Sequence, residues 1–93
     1  MENKKYKVLL TINLPLALPK GKNDFYESLE SRHFKKVGKL TTTWKAQFSE
    51  GTTYDKACEF VKKSLSKAEE FSKVHNIEYA FLISENDIES GSI

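Results

Sequence analysis

Cysteine, proline and glycine are scarce in this sequence, and no long apolar run occurs in it. The lone cysteine, Cys58, excludes an internal disulfide and favours a cytoplasmic location. No stretch reaches the roughly 18 consecutive apolar residues of a membrane-spanning helix, so we expect no membrane segment. The apolar run at residues 9–18 is interrupted by Thr11, Asn13 and Pro15 and lacks a small-residue cleavage site, which argues against a signal peptide.

Charge of one sign is not in excess either. The 15 lysines and arginines and 13 acidic residues leave a formal net charge of +2, which neither demands nor excludes a nucleic-acid partner. The hydrophobic fraction of 39% and the charged fraction of 30% are typical of a soluble globular domain. Because 93 residues suffice for one modest core, we expect residues 1–93 to form a single domain. Its core spans about 5–84, and the acidic tail 85–93 is expected to be flexible.

The longest apolar segment, Lys5–Leu14, predicts a central β-strand. Its residues alternate in polarity, and one side carries the set that we expect in the core: Tyr6, Val8, Leu10, Ile12 and Leu14. The opposite side is not fully polar, because Leu9 lies in its middle. Pro15 ends the strand, since it has no backbone N–H to donate.

A loop with two prolines and a glycine is predicted at 15–22. We expect Leu16 and Leu18 on the rim of the core, and Lys20 and Lys22 at a flexible basic tip. A short helix follows, predicted from an N-cap at residue 23 or 24 to about residue 33. Its buried stripe consists of Phe25 and Leu29.

Residues 34–48 predict a β-hairpin. The second arm, Thr42–Phe48, is well defined, because Trp44, Ala46 and Phe48 alternate with polar residues. The first arm, Phe34–Val37, is less well defined, since the bend at Gly38 lacks an Asn-Gly type of turn pair.

Thr52 or Thr53 is expected to cap a second helix, running from Tyr54 to about Val74. Its apolar stripe recurs every three or four residues and comprises Tyr54, Ala57, Cys58, Val61, Leu65 and Ala68, widened by Phe60 and Phe71. The last strand is predicted at Ile77–Ile83. One side of it is expected in the core (Ile77, Tyr79, Phe81, Ile83) and the other side outside it (Glu78, Ala80, Leu82).

The order strand, helix, hairpin, helix, strand predicts an α+β fold of the ferredoxin-like β-α-β-β-α-β type. Two helices then cover one face of a four-stranded antiparallel sheet. Right-handed crossovers place the first strand in the middle, beside the last. The alternative is a three-stranded sheet in which Phe34–Val37 is only a loop.

The element order and the Thr42-Thr-Trp-Lys-Ala segment resemble small bacterial proteins related to the CRISPR-associated adaptation nucleases and their toxin–antitoxin relatives. In that family a Tyr-Asp pair ends the first strand, and its aspartate holds a divalent metal across a dimer interface. The matching triplet here is Ile12-Asn13-Leu14. A neutral amide oxygen is a poor sole ligand for a hard cation, so the resemblance implies the fold without the metal-dependent cleavage.

The sequence contains no catalytic constellation. Cys58 with His33 or His75 is a possible nucleophile–base combination, but Cys58 lies on the apolar helix stripe, where a thiol is inert. Neither histidine has a second one at zinc-ligand spacing, and both are expected at helix C-termini. No acidic residue is expected at the end of a core strand, and the scattered glycines form no phosphate cradle. We therefore expect a non-enzymatic protein without catalytic residues, metal or cofactor.

Two groups of residues are candidate contact sites. Lys7 and Lys45, with Lys35, are expected on the open face of the sheet and Lys20 and Lys22 at its edge, where they could contact nucleic-acid phosphates. The same face holds no exposed pair of aromatic residues. Solvated lysines on exposed strands are the simpler interpretation.

The second group is an apolar patch on the open face, formed by Leu9, Thr11, Ala80 and Leu82, next to Thr43. Exposed patches of this kind mark protein interfaces. In ferredoxin-like relatives two such sheets pack face to face, so a symmetric homodimer is expected. Lysine at either leucine position is expected to yield a monomer.

These observations favour a small cytoplasmic interaction module, a homodimer that binds a protein partner of the antitoxin, immunity or inhibitor type. The second hypothesis is a nucleic-acid-binding or degenerate nuclease-like protein that contacts RNA or DNA. A third is a small-ligand sensor with its site in a dimer cleft. No membrane partner is expected.

Overall fold

The strands and helices follow one another in the order that the sequence predicts. In a computed structural model, which describes residues 5–93, the strands are β1 (Lys7–Asn13), β2 (Lys35–Lys36), β3 (Thr43–Gln47) and β4 (Glu78–Ser84). The helices are α1 (Pro19–Ser31) and α2 (Tyr54–Ser72). The start of the predicted domain, residues 1–4, lies outside the described residues. Within residues 5–93 no helix is both long and apolar enough to cross a membrane.

The four strands form one sheet in the order β2-β3-β1-β4, and every neighbouring pair is antiparallel. This is the predicted ferredoxin-like arrangement, with the first strand in the middle beside the last. The first hairpin arm is a true but short strand, since Lys35 pairs with Lys45 and Lys36 with Trp44. The N–H of Val37 also donates to the carbonyl of Thr43 at 3.0 Å. The three-stranded alternative is therefore wrong.

The core lies between the sheet and the two helices. The predicted inward side of β1 is buried from Val8 to Leu14, whereas Tyr6 is half-buried. These side chains pack against Phe25 and Leu29 of α1 and against the apolar stripe of α2. Trp44 of β3 is fully buried at the centre. The alternation of β1 and the helical spacing of α2 thus correctly identified the two main walls of the core.

Helix α1 begins earlier than predicted, at Pro19 instead of residue 23 or 24. Proline suits the first turn of a helix, because its missing N–H would have no helical partner there. Gly21 lies inside the helix, where a Cβ would come within 2.9 Å of the Val74 side chain. Glycine here permits close packing of α1 against Val74, which follows the C-cap of α2. The prediction of a flexible loop reaching residue 22 is wrong.

Several apolar residues that were expected at or near the core are exposed, namely Leu16, Leu18, Tyr54, Phe71 and Tyr79. The two leucines belong to the connection beyond the end of β1. Tyr54 begins α2, with its ring edge-on to Tyr6 at 6.1 Å, and Phe71 lies in the last turn of α2 beside the polar side of α1. Periodicity identifies the side of an element that faces the core, but it does not show where the opposing layer ends.

Candidate functional site

The open face of the sheet, opposite the helices, brings the predicted apolar patch together. Leu9 pairs laterally with Leu82 of β4, and Thr11 pairs with Ala80. Leu9 and Thr11 also pair laterally with the other neighbouring strand, β3, where their partners are Lys45 and Thr43. All four predicted interface residues are therefore direct neighbours, as the sequence led us to expect.

The apolar patch is exposed most strongly at its β4 side. Leu82 is 67% exposed, and Ala80 and Thr11 are exposed, whereas Leu9 is half-buried. Leu82 is thus the patch residue with most apolar surface left to bury.

Beyond the patch, at the end of β1, the amide of Asn13 donates to the Glu78 carboxylate at 3.1 Å.

Three lysines occupy the opposite half of the open face. Lys35 of the edge strand β2 pairs with Lys45 of β3, and Lys7 lies at the start of β1. Together with His33 they line a groove that also contacts Asp87 and Ile88 of the C-terminal tail. The face is therefore divided into an apolar half on β1 and β4 and a basic half towards β2 and β3.

The tail partly neutralises the basic half. The Lys7 ammonium group lies 2.9 Å from the Asp87 carboxylate and donates to the Glu85 carbonyl at 3.2 Å. The hydrogen bond from Lys7 to the Asp87 carboxylate and the charge of Lys7 lower the pKa of Asp87 below its ordinary value of 3.8. The ion pair is exposed on the aspartate side, so its contribution to stability is small. The flexibility predicted for the tail as a whole stays a prediction.

Lys20 and Lys22 do not join the other lysines. Both lie in the first turns of α1, on the helix layer, and Lys20 forms an ion pair with Asp24 at 2.9 Å. Helix α1 begins beyond Asn13, whereas Lys7 is at the opposite end of β1, roughly 20 Å away along a seven-residue strand. The five candidate lysines therefore do not form one continuous basic surface.

The end of β1 carries a carboxylate that the sequence argument missed. Glu78 opens β4 directly opposite Asn13, so the prediction that no acidic residue lies at the end of a core strand is wrong. Antiparallel pairing places the first residue of β4 beside the last residue of β1, and the predicted strand order already contained this information. Within residues 5–93 no group of three histidine, cysteine or acidic residues is arranged to hold a metal ion.

The cysteine and the histidines lie apart from the open-face patch. Cys58 is half-buried on α2, and its side-chain hydrogen bond with Tyr54 raises the pKa of that phenol above 10.0. His75 is exposed beyond the end of α2, and His33 follows α1 with a left-handed φ of 71°. The polar neighbour that interacts with the Cys58 thiol is thus the Tyr54 phenol.

Comparison with protein-family models finds no match for this chain, and comparison with curated proteins finds none either. Among solved structures, the chain is similar to protein SP2199 from Streptococcus pneumoniae, a structural-genomics target. The two chains are 18% identical, the match covers 90% of this chain and 89% of the other, and the TM-score is 0.52. At this identity the similarity concerns the α+β fold alone.

Proposed function

We propose that this protein is a non-enzymatic interaction module that acts as a homodimer and binds a protein partner through its open-face patch. The patch consists of Leu9, Thr11, Ala80 and Leu82. The observation that carries the proposal is the lateral pairing of two leucines, Leu9 and Leu82, on the solvent side of a sheet whose other side already holds the core. A partner of the antitoxin, immunity or inhibitor type is consistent with this chemistry.

Burial of Leu82 supplies a measurable part of such an interface. Its side chain is 67% exposed, and complete burial of a leucine side chain is worth about 1.5–3 kcal/mol. A lysine at this position would bring a charge into an apolar contact. Affinity for the partner should therefore fall at least tenfold, the change that corresponds to about 1.4 kcal/mol.

The test compares tagged wild-type protein with Leu82→Lys in a cell extract of the native host, followed by mass spectrometry of the retained proteins. Leu16→Lys is the matched control, because Leu16 is 73% exposed but lies in the connection after β1. A partner retained by the wild type and by Leu16→Lys, but lost with Leu82→Lys, supports the proposal. Equal retention by all three chains refutes it.

Nucleic-acid binding is the second candidate function, favoured by the basic groove of Lys7, Lys35 and Lys45. Two observations make it the weaker one: Lys7 is already paired with Asp87, and the aromatic residues of β3 and β4 point to the helix side. A degenerate nuclease-like role, with Asn13 in place of the aspartate of the resembled family, belongs to this candidate.

Binding of labelled single-stranded RNA and DNA at about 50 and 200 mM salt distinguishes the two functions, since phosphate contacts weaken steeply with salt. Under the nucleic-acid hypothesis, Lys45→Glu should reduce binding at low salt and Leu82→Lys should not. Absence of binding at low salt excludes this candidate.

A further inference from the structure

The two edges of the sheet differ in how they are protected. The β2 edge is only two residues long and both are lysines, a common way to prevent strands from pairing with other chains. The β4 edge is seven residues long, contains no lysine or proline, and pairs with β1 without a bulge. Among residues 5–93, no strand pairs with its outer side.

The backbone groups on the outer side of β4 can be identified from the register. The N–H of Ile12 donates to Thr42 and that of Phe48 to Tyr6, so the even-numbered residues of β1 form hydrogen bonds with β3. Hydrogen-bonding direction alternates along a strand, so the odd-numbered residues of β1 bond to β4. Their partners are the even-numbered residues of β4. The outward N–H and C=O groups therefore belong to Tyr79, Phe81 and Ile83.

The side chains of β4 also leave apolar surface on both sides of the sheet. Tyr79 is 49% exposed on the helix side, with its ring stacked on Phe81 at 6.2 Å. Leu82 is 67% exposed on the open side. The single charged residue of the strand is Glu78, at its end. A pairing strand would bury apolar surface on both faces and satisfy the outward backbone groups.

We infer that β4 pairs antiparallel with β4 of a second copy, about a twofold axis at Phe81. In this register Tyr79 lies opposite Ile83 of the second copy, and Ala80 opposite its Leu82. Glu78 lies opposite a serine, Ser84, so the strand meets itself without opposing like charges. About six inter-strand hydrogen bonds form, and the two sheets join into one of eight strands.

Edge-to-edge pairing through β4 explains the exposed groups of this strand better than a dimer in which two open faces pack against each other. Face-to-face packing leaves the outward groups of Tyr79, Phe81 and Ile83 unpaired and brings the Lys35 and Lys45 pairs of two copies to one interface. Edge pairing keeps the open faces free. It also places the Leu82 and Ala80 side chains of both copies side by side.

This inference deepens the proposed function, on which it rests, by giving the dimer a geometry. The two open-face patches merge into one apolar surface across the twofold axis, and the basic halves lie at its outer ends. A protein partner would then contact both copies at once.

The test is sedimentation of the full chain over a range of concentrations, comparing wild type, Tyr79→Pro and Leu9→Lys. Proline at position 79 removes an outward N–H but no hydrogen bond to β1. Face-to-face packing would make Leu9→Lys a monomer, whereas edge pairing leaves Leu9 outside the contact between the two copies. We therefore expect wild type and Leu9→Lys to show twice the 10.7 kDa chain mass, and Tyr79→Pro to show the chain mass. A monomeric wild type, or a monomeric Leu9→Lys with a dimeric Tyr79→Pro, overturns the inference.

A crosslinking experiment keeps the inference testable if the proline variant does not fold. Two chains are prepared on a Cys58→Ser background, one carrying Ala80→Cys and the other Leu82→Cys. The proposed register places these positions opposite one another at a spacing that allows a disulfide. The mixture should form a disulfide-linked dimer under mild oxidation, and each chain alone should form much less. Equal crosslinking in all three samples contradicts the register.

The outcomes separate this inference from the proposed function. Loss of the dimer in Tyr79→Pro with an unchanged Leu9→Lys dimer supports edge pairing, whether or not a partner is found. A partner retained through Leu82 by a monomeric wild-type protein supports the interaction module and refutes the edge-paired dimer.

Discussion

Asp87 shows how a residue outside the regular elements can be held by a single contact. Its carboxylate accepts a hydrogen bond from Lys7 at 2.9 Å, on the open face of β1. The charged form of Asp87 is favoured by this contact, which is why its pKa lies below 3.8. The contribution of the pair to stability is complete above pH 3.8 and is lost as the pH falls through the lower, folded-state pKa.

The effect of Lys7 on the pKa of Asp87 can be tested by substitution. Replacing Lys7 by methionine should raise the pKa of Asp87 towards its ordinary value, because both the hydrogen bond and the positive charge are removed. NMR titration of the Asp87 carboxyl carbon, compared between wild type and Lys7→Met, measures the change. Lys20→Met is the control, since Lys20 pairs with Asp24 instead. An Asp87 pKa that is the same in all three proteins would show that the contact is not formed in solution.

Ser64 carries a polar hydroxyl group but lies in the buried part of the molecule. It is fully buried on α2, and its hydroxyl has no hydrogen-bond partner among the described residues. Burial of an unpaired polar group costs about 1–3 kcal/mol. Helical spacing indicates which side of α2 faces the core, but it does not show whether a hydroxyl on that side finds a partner.

We predict that Ser64→Ala stabilises the protein by about 1 kcal/mol, because the unpaired hydroxyl is removed and alanine is the better helix former. Urea unfolding should show a higher midpoint with an unchanged slope. Ser66→Ala, an exposed serine on the same helix, controls for helix propensity alone. A lower midpoint for Ser64→Ala than for wild type would mean that the hydroxyl has a partner in solution.

At the scale of elements, the contact between α1 and Val74, which follows the C-cap of α2, explains why Gly21 is inside a helix. Glycine normally destabilises a helix interior by about 1 kcal/mol relative to alanine. Here a Cβ would lie 2.9 Å from Cγ2 of Val74, a stiff and buried β-branched side chain. The close approach of α1 to Val74 therefore outweighs the difference in helix propensity.

Accordingly, Gly21→Ala should destabilise the protein by about 1 kcal/mol in spite of its better helix propensity. The double variant Gly21→Ala/Val74→Ala should be more stable than the sum of the two single effects, because removing the valine methyl groups makes room for the new Cβ. Thermal or urea unfolding of the four proteins of this cycle gives the coupling. Additive effects would contradict the packing explanation.

The exposure of Tyr79 on strand β4 differs from the prediction made from alternation along the strand. Its alternation was correctly identified, yet Tyr79 was expected in the core and is half-exposed. The reason is its place at the edge of the sheet, where few residues of the helix layer oppose it. The same position makes its outer backbone groups available for pairing.

At the scale of the whole molecule, one core connects three strands and both helices, whereas both residues of the short strand β2 are exposed. The cluster includes residues of β1, β3, β4 and both helices, and the single tryptophan, Trp44, is fully buried inside it. A small domain with one continuous core unfolds cooperatively.

We therefore predict that urea unfolding followed by Trp44 fluorescence coincides with unfolding followed by helical circular dichroism. Both signals should share a midpoint and a slope, because Trp44 cannot leave its site without disruption of the helix layer. Clearly separated transitions would show that the helices and the sheet unfold as separate units, against a single domain.

Much of the fold could be predicted from the sequence because its signals are local. The alternation of β1 follows from backbone geometry, in which successive side chains point to opposite faces. The stripe of α2 follows in the same way from the helical repeat, and Thr53 caps it as predicted, accepting from the N–H of Lys56 at 3.2 Å. The start of α1 is earlier than predicted because Pro19 and Gly21, residues typical of loops, lie inside this helix.

The candidate site could be predicted only in part. Residues on one side of one strand follow from the sequence, and the strand order then brings Leu9 to Leu82. The contact of Lys7 with Asp87 and the separation of Lys20 and Lys22 from the open face depend on where the tail and α1 lie. No periodic pattern encodes these positions.

The amino-acid sequence by itself determined which side of each main element faces the core, since that information resides in spacing along one segment. Only the tertiary structure decided which segments are lateral neighbours, which strand forms an edge and which backbone groups remain unpaired. These properties arise from the crossovers and the register between distant segments. The apolar patch depends on the sequence and on the tertiary structure. Its residues alternate within β1 and β4, but they become one surface only when those strands pair.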